Sequence, residues 1–421
     1  MDTTATDLND PIGPARTPEV RPPLVPLRRN WRFQVLWGGA AASMIGTCVA
    51  DLAYPLLLLA MTGSPSLAGS FGAVQSATMV LVGLHSGMVA DRHDRRRVLI
   101  AADSVRLVAT ATIPLALALG CLTVVHVLAV GAVLGAAMAY GGTVRQLAIR
   151  SVVAPEQLRQ ALAQDELRVS GSSLIGPPLA GFLLGLGRAV PFLTTALASA
   201  FSVSAALAVR FDGRPAGAGP GPRGGAFDGL RYVLRVPLLR STLAVSLAVN
   251  LAGSAALLAI LVLLHQRGTS GTGIGSALAG EAVGGLLGAP LVRRLHGRFT
   301  PGVLLLAVAW LAVPMLLVPA LVAGPVAVFG ALLVMMLGVP SLRVMLDVLI
   351  FQQVADELRG RVIAATMTVL MLGLPLGNAL AGLLLDRLSP AGVLELCAGL
   401  LGLGLLPMTL GRPLWRTAWP A

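Results

Sequence analysis

Residues 87–100 read GMVADRHDRRRVLI. Asp91 to Arg97 pack two carboxylates and four arginines into seven positions. The preceding stretch, SLAGSFGAVQSATMVLVGLHS (66–86), holds no Asp, Glu, Lys or Arg. The following one, VLIAADSVRLVATATIPLALALG (98–120), holds only Asp103 and Arg106. A polar knot between two apolar runs of ~20 residues is the pattern of a short loop at a membrane edge, joining two spanning helices.

Composition places the whole chain in the same setting. Of its 421 residues 56% are hydrophobic and only 12% charged, with a mean hydropathy of +0.82. A water-soluble domain carries about a quarter charged residues, so this chain is expected to lie in the lipid bilayer. Long runs of Leu, Ala, Val and Gly exclude a barrel of ~10-residue alternating strands, which leaves helices. The net charge of +12 comes from arginine alone, since the chain has no lysine. Its distribution argues against a nucleic-acid partner. Lysine-free, Ala/Gly/Arg-rich usage fits a GC-rich bacterial genome. The three cysteines, Cys48, Cys121 and Cys397, have no spacing that predicts a disulfide or a metal site, and all three read as small core residues. The start of the chain lacks the pattern of a cleavable signal peptide.

Hydrophobic runs and their punctuation predict twelve spans. They lie near 33–61, 66–90, 98–120, 123–150, 157–186 and 190–210, then 238–265, 271–295, 301–320, 325–353, 359–387 and 391–411. The expected organisation is a disordered cytosolic tail (1–30), a six-helix bundle (31–210), a Gly/Pro-rich linker (211–237), a second bundle (238–411) and a tail (412–421). If every span crosses, about 25 of the 31 arginines fall on one face and only Arg188, Arg267 and Arg387 on the other, an asymmetry that places both termini in the cytoplasm.

The halves resemble each other at an offset of 201 positions. Gly87 meets Gly288, and Arg92 meets Arg293. VAPE (153–156) meets VADE (354–357), and GPPLAGFLLG (176–185) meets GNALAGLLLD (377–386). Such a same-direction repeat is expected where two bundles rock about a shared site.

Gly87, Ala90, Asp91, Arg92, Asp94, Arg95 and Arg96 resemble the major facilitator superfamily loop motif, roughly Gly-x-x-x-Asp-Arg-x-Gly-Arg-Arg, placed between spans two and three as in that family. Asp94 stands where the family has a second Gly. The resemblance implies a conformational latch: Asp91 facing the N-terminus of span eleven, near Arg359, where partial positive charge stabilises a carboxylate. The plainer reading is a solvated turn that obeys the positive-inside rule. The second copy has Val292 in place of Asp91, so a latch would be one-sided.

Further segments resemble the branch with the enterobactin exporter and macrolide efflux proteins. They are RNWRFQVLWGGAAASMIG (29–46), ADLAYPLLLLAMTGSPSLAG (50–69), Asp103 with Arg106, PEQL (155–158), Arg168 ahead of Gly176–Pro177, and ADELRGRV (355–362). GSSLIGPPLAG (171–181) resembles the span-five motif of antiporters. Gly171, Gly176 and Gly181 would form a small-residue face against the other half, with Pro177 in the same helix, although ordinary helix packing explains such a face equally well.

Ionisable groups inside spans cost ~2.5–3.5 kcal/mol on insertion scales, so each needs a partner or a task. Asp103 and Arg106 (i,i+3), Arg343 and Asp347 (i,i+4), and Arg168 with Asp165 read as self-satisfied pairs. Asp51 in span one and Glu281 in span eight have no basic residue within a turn. In low dielectric such an acid favours its neutral form, so either one is expected to couple proton entry to cargo expulsion. A neutral acid bonded across helices is the alternative. Tyr54, Gln75 and Asn250 are lesser cavity candidates.

These readings point to a twelve-helix, all-α membrane protein with two pseudo-symmetric bundles, the major facilitator fold. The expected function is export of a small lipophilic or cationic molecule (a drug, antibiotic or other natural product) from a bacterial plasma membrane by drug/proton antiport. A siderophore exporter or a solute importer of the same fold is the alternative. No ATP-binding P-loop is present, no cofactor is expected beyond a proton gradient, and a monomer is expected. The scattered histidines His85, His93, His126, His265 and His296 give no catalytic or metal cluster, which argues against an enzyme.

Overall fold

The computed structural model describes residues 26–209, 226–322, 324–354 and 356–410. Among them lie fifteen α-helices: α1 (Trp31–Thr62), α2 (Pro65–Arg92), α3 (Arg95–Ala118), α4 (Val124–Val152), α5 (Leu158–Leu186), α6 (Val190–Ala208), α7 (Ala226–Arg235), α8 (Pro237–Gln266), α9 (Gly271–Gly288), α10 (Val292–Arg298), α11 (Pro301–Leu321), α12 (Pro325–Met336), α13 (Val339–Gln353), α14 (Asp356–Leu385) and α15 (Pro390–Leu410). They supply twelve segments long and apolar enough to cross a membrane. Span eight joins α9 to α10 and span ten joins α12 to α13. Each expected span matches its helix to within a few residues.

A helix end in or near lipid must find partners for its first N–H groups, and polar side chains placed in the sequence supply them. Asn30, Ser64, Thr123 and Ser270 cap α1, α2, α4 and α9. Asp94 does the same for α3, accepting the Arg97 N–H at 3.1 Å with φ of −59°. The turn therefore needs no glycine at 94, and the departure from the family motif exchanges a flexible residue for a cap. At the opposite end, Gly63 (φ +68°) and Gly268 (φ +71°) make the equivalent first connections of the two halves in the left-handed region that favours glycine.

Two expectations about the connections need revision. The last residues of the expected disordered tail are folded. Leu27 is buried with Phe33, Val153 and Ala161, and the Asn30 side chain donates to the Val152 carbonyl at 2.9 Å. The end of the expected linker forms α7, which packs on α14: Tyr232 donates its hydroxyl proton to the Gln353 carbonyl, and Gly229 lies against the Arg361 carbonyl. Residues 1–25, 210–225 and 411–421 lie outside the described residues.

Small residues set the helix spacing. Gly280, Gly284 and Gly288 lie one turn apart on α9 and face the carbonyls of Phe329, Leu333 and Leu337. Gly131 and Gly135 of α4 seat Phe71 and the Gln75 carbonyl of α2, and Gly39 and Gly46 of α1 seat α6. The two halves touch along two seams. In one, Gly181 of α5 meets the backbone of Gly271 of α9, and Gly275 meets the Pro177 carbonyl. In the other, Gly69 and Gly72 of α2 meet Asn378 of α14, and Gly69 also meets Gly382. The offset of 201 carries Gly181 onto Gly382, so the seams are two copies of one contact. Both lie toward the end that carries Arg188, Arg267 and Arg387, the Arg-poor end. The main apolar core bridges the halves there, through Val49, Leu52 and Leu56 of α1 and Leu183 of α5.

A side chain at Gly135 would overlap the Gln75 carbonyl, whereas Gly142 on the same helix faces open space. Gly135→Val should therefore cost roughly 1–3 kcal/mol or prevent folding, and Gly142→Val should be tolerated. Melting midpoints and monodispersity of the purified variants in detergent check both.

Candidate transport site

The N-terminal half is organised around one carboxylate. Asp103 of α3 is 3% exposed. Arg145 of α4 donates to both of its oxygens at 3.0 and 3.1 Å, Ser202 of α6 donates to Oδ2 at 2.6 Å, and Arg106 stands 3.2 Å from Oδ1. Arg145 also donates to Ser43 of α1 at 2.9 Å. Four helices thus converge on one acid, which keeps a buried charge tolerable. The expected Asp103–Arg106 pair is present, and Arg145 is the member that sequence reading missed. It lies less than two turns inside the end of α4, where it was counted with the face arginines.

The other expected pairs divide. Arg168 donates to Asp165 at 2.7 Å and to the Ala40 carbonyl at 3.3 Å. Arg343 and Asp347 form no ion pair among the described residues. Arg343 is exposed and Asp347 half-buried on one face of α13, so correct helical spacing did not bring them together.

Asp51 and Glu281 stand on opposite halves, on α1 and α9. On α1, Asp51 is exposed although its neighbours Ala50 and Leu52 are buried. Its Oδ1 accepts a hydrogen bond from Gln75 Nε2 of α2 at 3.2 Å. One turn earlier, Cys48 packs against Gly176 of α5, beside the seam where Pro177 meets Gly275 of α9. Glu281 lies on α9 between Gly280 and Gly284, half-buried, with no hydrogen bond or ion pair among the described residues.

Of the lesser candidates, Gln75 belongs to this group and Tyr54 does not. Tyr54 is fully buried, stacked on Phe71 with ring centroids 4.5 Å apart and tilted against Phe192 at 4.8 Å. Its ring is packed into the N-terminal core. Asn250 of α8 is half-buried and packs against Gly373 of α14. In the span-five motif, Gly181 packs on the other half, Gly176 packs within its own half, and Gly171 has nothing within contact distance. Of the cysteines read as core, Cys397 is buried, Cys48 half-buried and Cys121 exposed.

In the opening stretch, the surroundings of Gly87 and Asp91 lie outside the described residues. Arg92 is exposed and Arg95 half-buried. Arg96 donates to the carbonyls of Leu207 and Val209, at 2.7 and 3.0 Å, and so closes the C-terminal end of α6. Arg359 donates to the Phe351 and Val354 carbonyls within its own half.

Replacing Asp103 would strand two guanidinium groups. Asp103→Asn is expected to cost roughly 3–5 kcal/mol, against about 1 kcal/mol for Ser202→Ala. The ranking of their melting midpoints tests this.

Residues 21–415 match the family model described as transmembrane secretion effector. The multidrug efflux pump Tap of Mycobacterium tuberculosis and of Mycobacterium bovis is 29% identical over 387 residues, covering 85% of this chain and 88% of the relative. Among solved structures, a bacterial homologue of the human lysosomal transporter Spinster, inward-facing and unoccupied, aligns with a TM-score of 0.68 at 16% identity, covering 91% of this chain and 94% of that one. A POT family transporter in complex with 5-aminolevulinic acid aligns with a TM-score of 0.70 at 12% identity, covering 93% and 97%. At such identities these two establish the fold alone. With twelve apolar helices and a family match over nearly its whole length, the chain is a multi-pass membrane transporter, not an enzyme, and it belongs to the major facilitator superfamily, in the transmembrane secretion effector family.

Proposed function

We propose that this protein is a secondary active exporter that moves a small lipophilic or cationic molecule out across a bacterial plasma membrane in exchange for protons, by alternating access. One observation carries the reading: Asp51 and Glu281 are transmembrane acids on opposite halves, neither with an ion pair among the described residues, on the two helices whose neighbours Cys48, Gly176, Pro177 and Gly275 build the glycine seam. A carboxylate there can bind a proton or a cation but not both, and that exclusion is what exchange requires. Transmembrane acids with no ion-pair partner are costly enough to imply a task.

Direction follows from charge. The positive-inside rule assigns the Arg-rich face and both termini to the cytoplasm. The seams then close the outer side, and the two acids belong to an inward-open site. The multidrug efflux pump among the relatives supports outward movement of cargo. Energy would come from the proton gradient without ATP or another cofactor, and a single chain holding both halves suffices as a monomer. The sparse aromatic content, 4%, favours recognition by charge and apolar contact over stacking.

Inside-out vesicles with an acidified lumen, given a lipophilic cation or a neutral drug in the medium, test the coupling. For a neutral cargo, one proton at 100 mV supplies about 2.3 kcal/mol, or roughly fifty-fold accumulation. Asp51→Asn or Glu281→Gln should abolish this accumulation and leave downhill counterflow in place. Full proton coupling in both variants would refute the assignment.

A further inference from the structure

Helices α2 and α14 run antiparallel along their seam. Each end of the pair therefore brings the C-terminal end of one helix beside the N-terminal end of the other. At the Arg-poor end, Asp386 follows the last turn of α14, and its Oδ1 accepts the N–H of Ser66, the second residue of α2, at 3.3 Å. That N–H is one of the four that a helix leaves without an internal partner, and the partial positive charge there favours a carboxylate.

The other seam has no counterpart. Between α5 and α9 the contacts are Gly181 on Gly271 and Gly275 on Pro177. No side-chain hydrogen bond crosses that seam among the described residues. At the offset of 201, the position equivalent to Asp386 is Gly185. The carboxylate is thus an addition to one of two otherwise matching contacts, and it joins the halves where Asn378 already lies against Gly72.

We propose that Asp386 is a positioning residue for transport, a catch that holds the halves together at the Arg-poor end. The superfamily motif implies the mirror arrangement at the Arg-rich end, with Asp91 near the end of α2 facing the start of α14. One helix pair then carries a carboxylate catch at either end, and engaging one requires releasing the other. The inference rests on the alternating-access reading. It adds that the energy difference between the two states depends on which of two helix N-termini holds its acid.

The test uses the full chain with Cys48, Cys121 and Cys397 replaced by Ser. Met61→Cys and Leu388→Cys, at positions 39% and 41% exposed, carry spin labels on opposite halves of the Arg-poor end. Pulsed electron resonance in lipid nanodiscs reads the distance distribution. Asp386→Ala is expected to raise the long-distance population about two- to fivefold, the factor a partly exposed carboxylate contributes at a helix N-terminus. Asp386→Glu should stay near the parent. Ser66→Pro removes the donor at a position where proline is tolerated and should reproduce the shift, even if Asp386→Ala folds poorly. An unchanged or more closed distribution in both variants overturns the catch. A single distance in the parent protein at every pH and cargo concentration overturns alternating access itself, so the two failures are told apart.

Discussion

In hydrocarbon, an apolar side chain gains almost nothing by leaving lipid for another helix, so association depends on how closely backbones approach. This explains why glycine, at 49 of 421 residues, does so much of the packing here. Three glycines one turn apart lay α9 on α12, two lay α4 on α2, and both seams between the halves rest on backbone against backbone. Contacts of this kind bury little apolar area and interlock few side chains.

The same low dielectric governs the charges. Asp103 is held by Arg106 of its own helix and by an arginine and a serine from two others, and the cluster ties helices together as no apolar contact in lipid does. Asp51 and Glu281 are treated differently: one amide hydrogen bond for the first and none among the described residues for the second. Asp103 is thus tied across the helices of its half, whereas Asp51 and Glu281 carry no ion pair among the described residues.

Much of this was legible in the sequence because bilayer thickness imposes a length that hydrophobic runs display directly. The twelve spans, the offset of 201 and the Asp103–Arg106 pair all follow from spacing along one chain. What spacing does not encode is which way a helix face turns. Arg145 joined Asp103 across helices, where no local pattern marks it. Tyr54, three residues after Asp51, turned inward onto Phe71 and Phe192. Arg343 and Asp347 had ideal separation and did not pair, since an exposed arginine gains little from a held contact. Asp386 drew no attention as a residue at a span end, and only the approach of α2 gave it a role.

Helix α7 changes what the long middle connection is attached to. The chain leaves the first half at Val209, whose carbonyl is gripped by Arg96 in the first turn of α3. It is next fastened ahead of α8, on the flank of α14 through Gly229 and on the end of α13 through Tyr232. The sixteen residues between, 210–225, can reach at most about 55 Å when fully drawn out. The covalent link between the halves therefore enters the second half at α14, one helix before its first span begins.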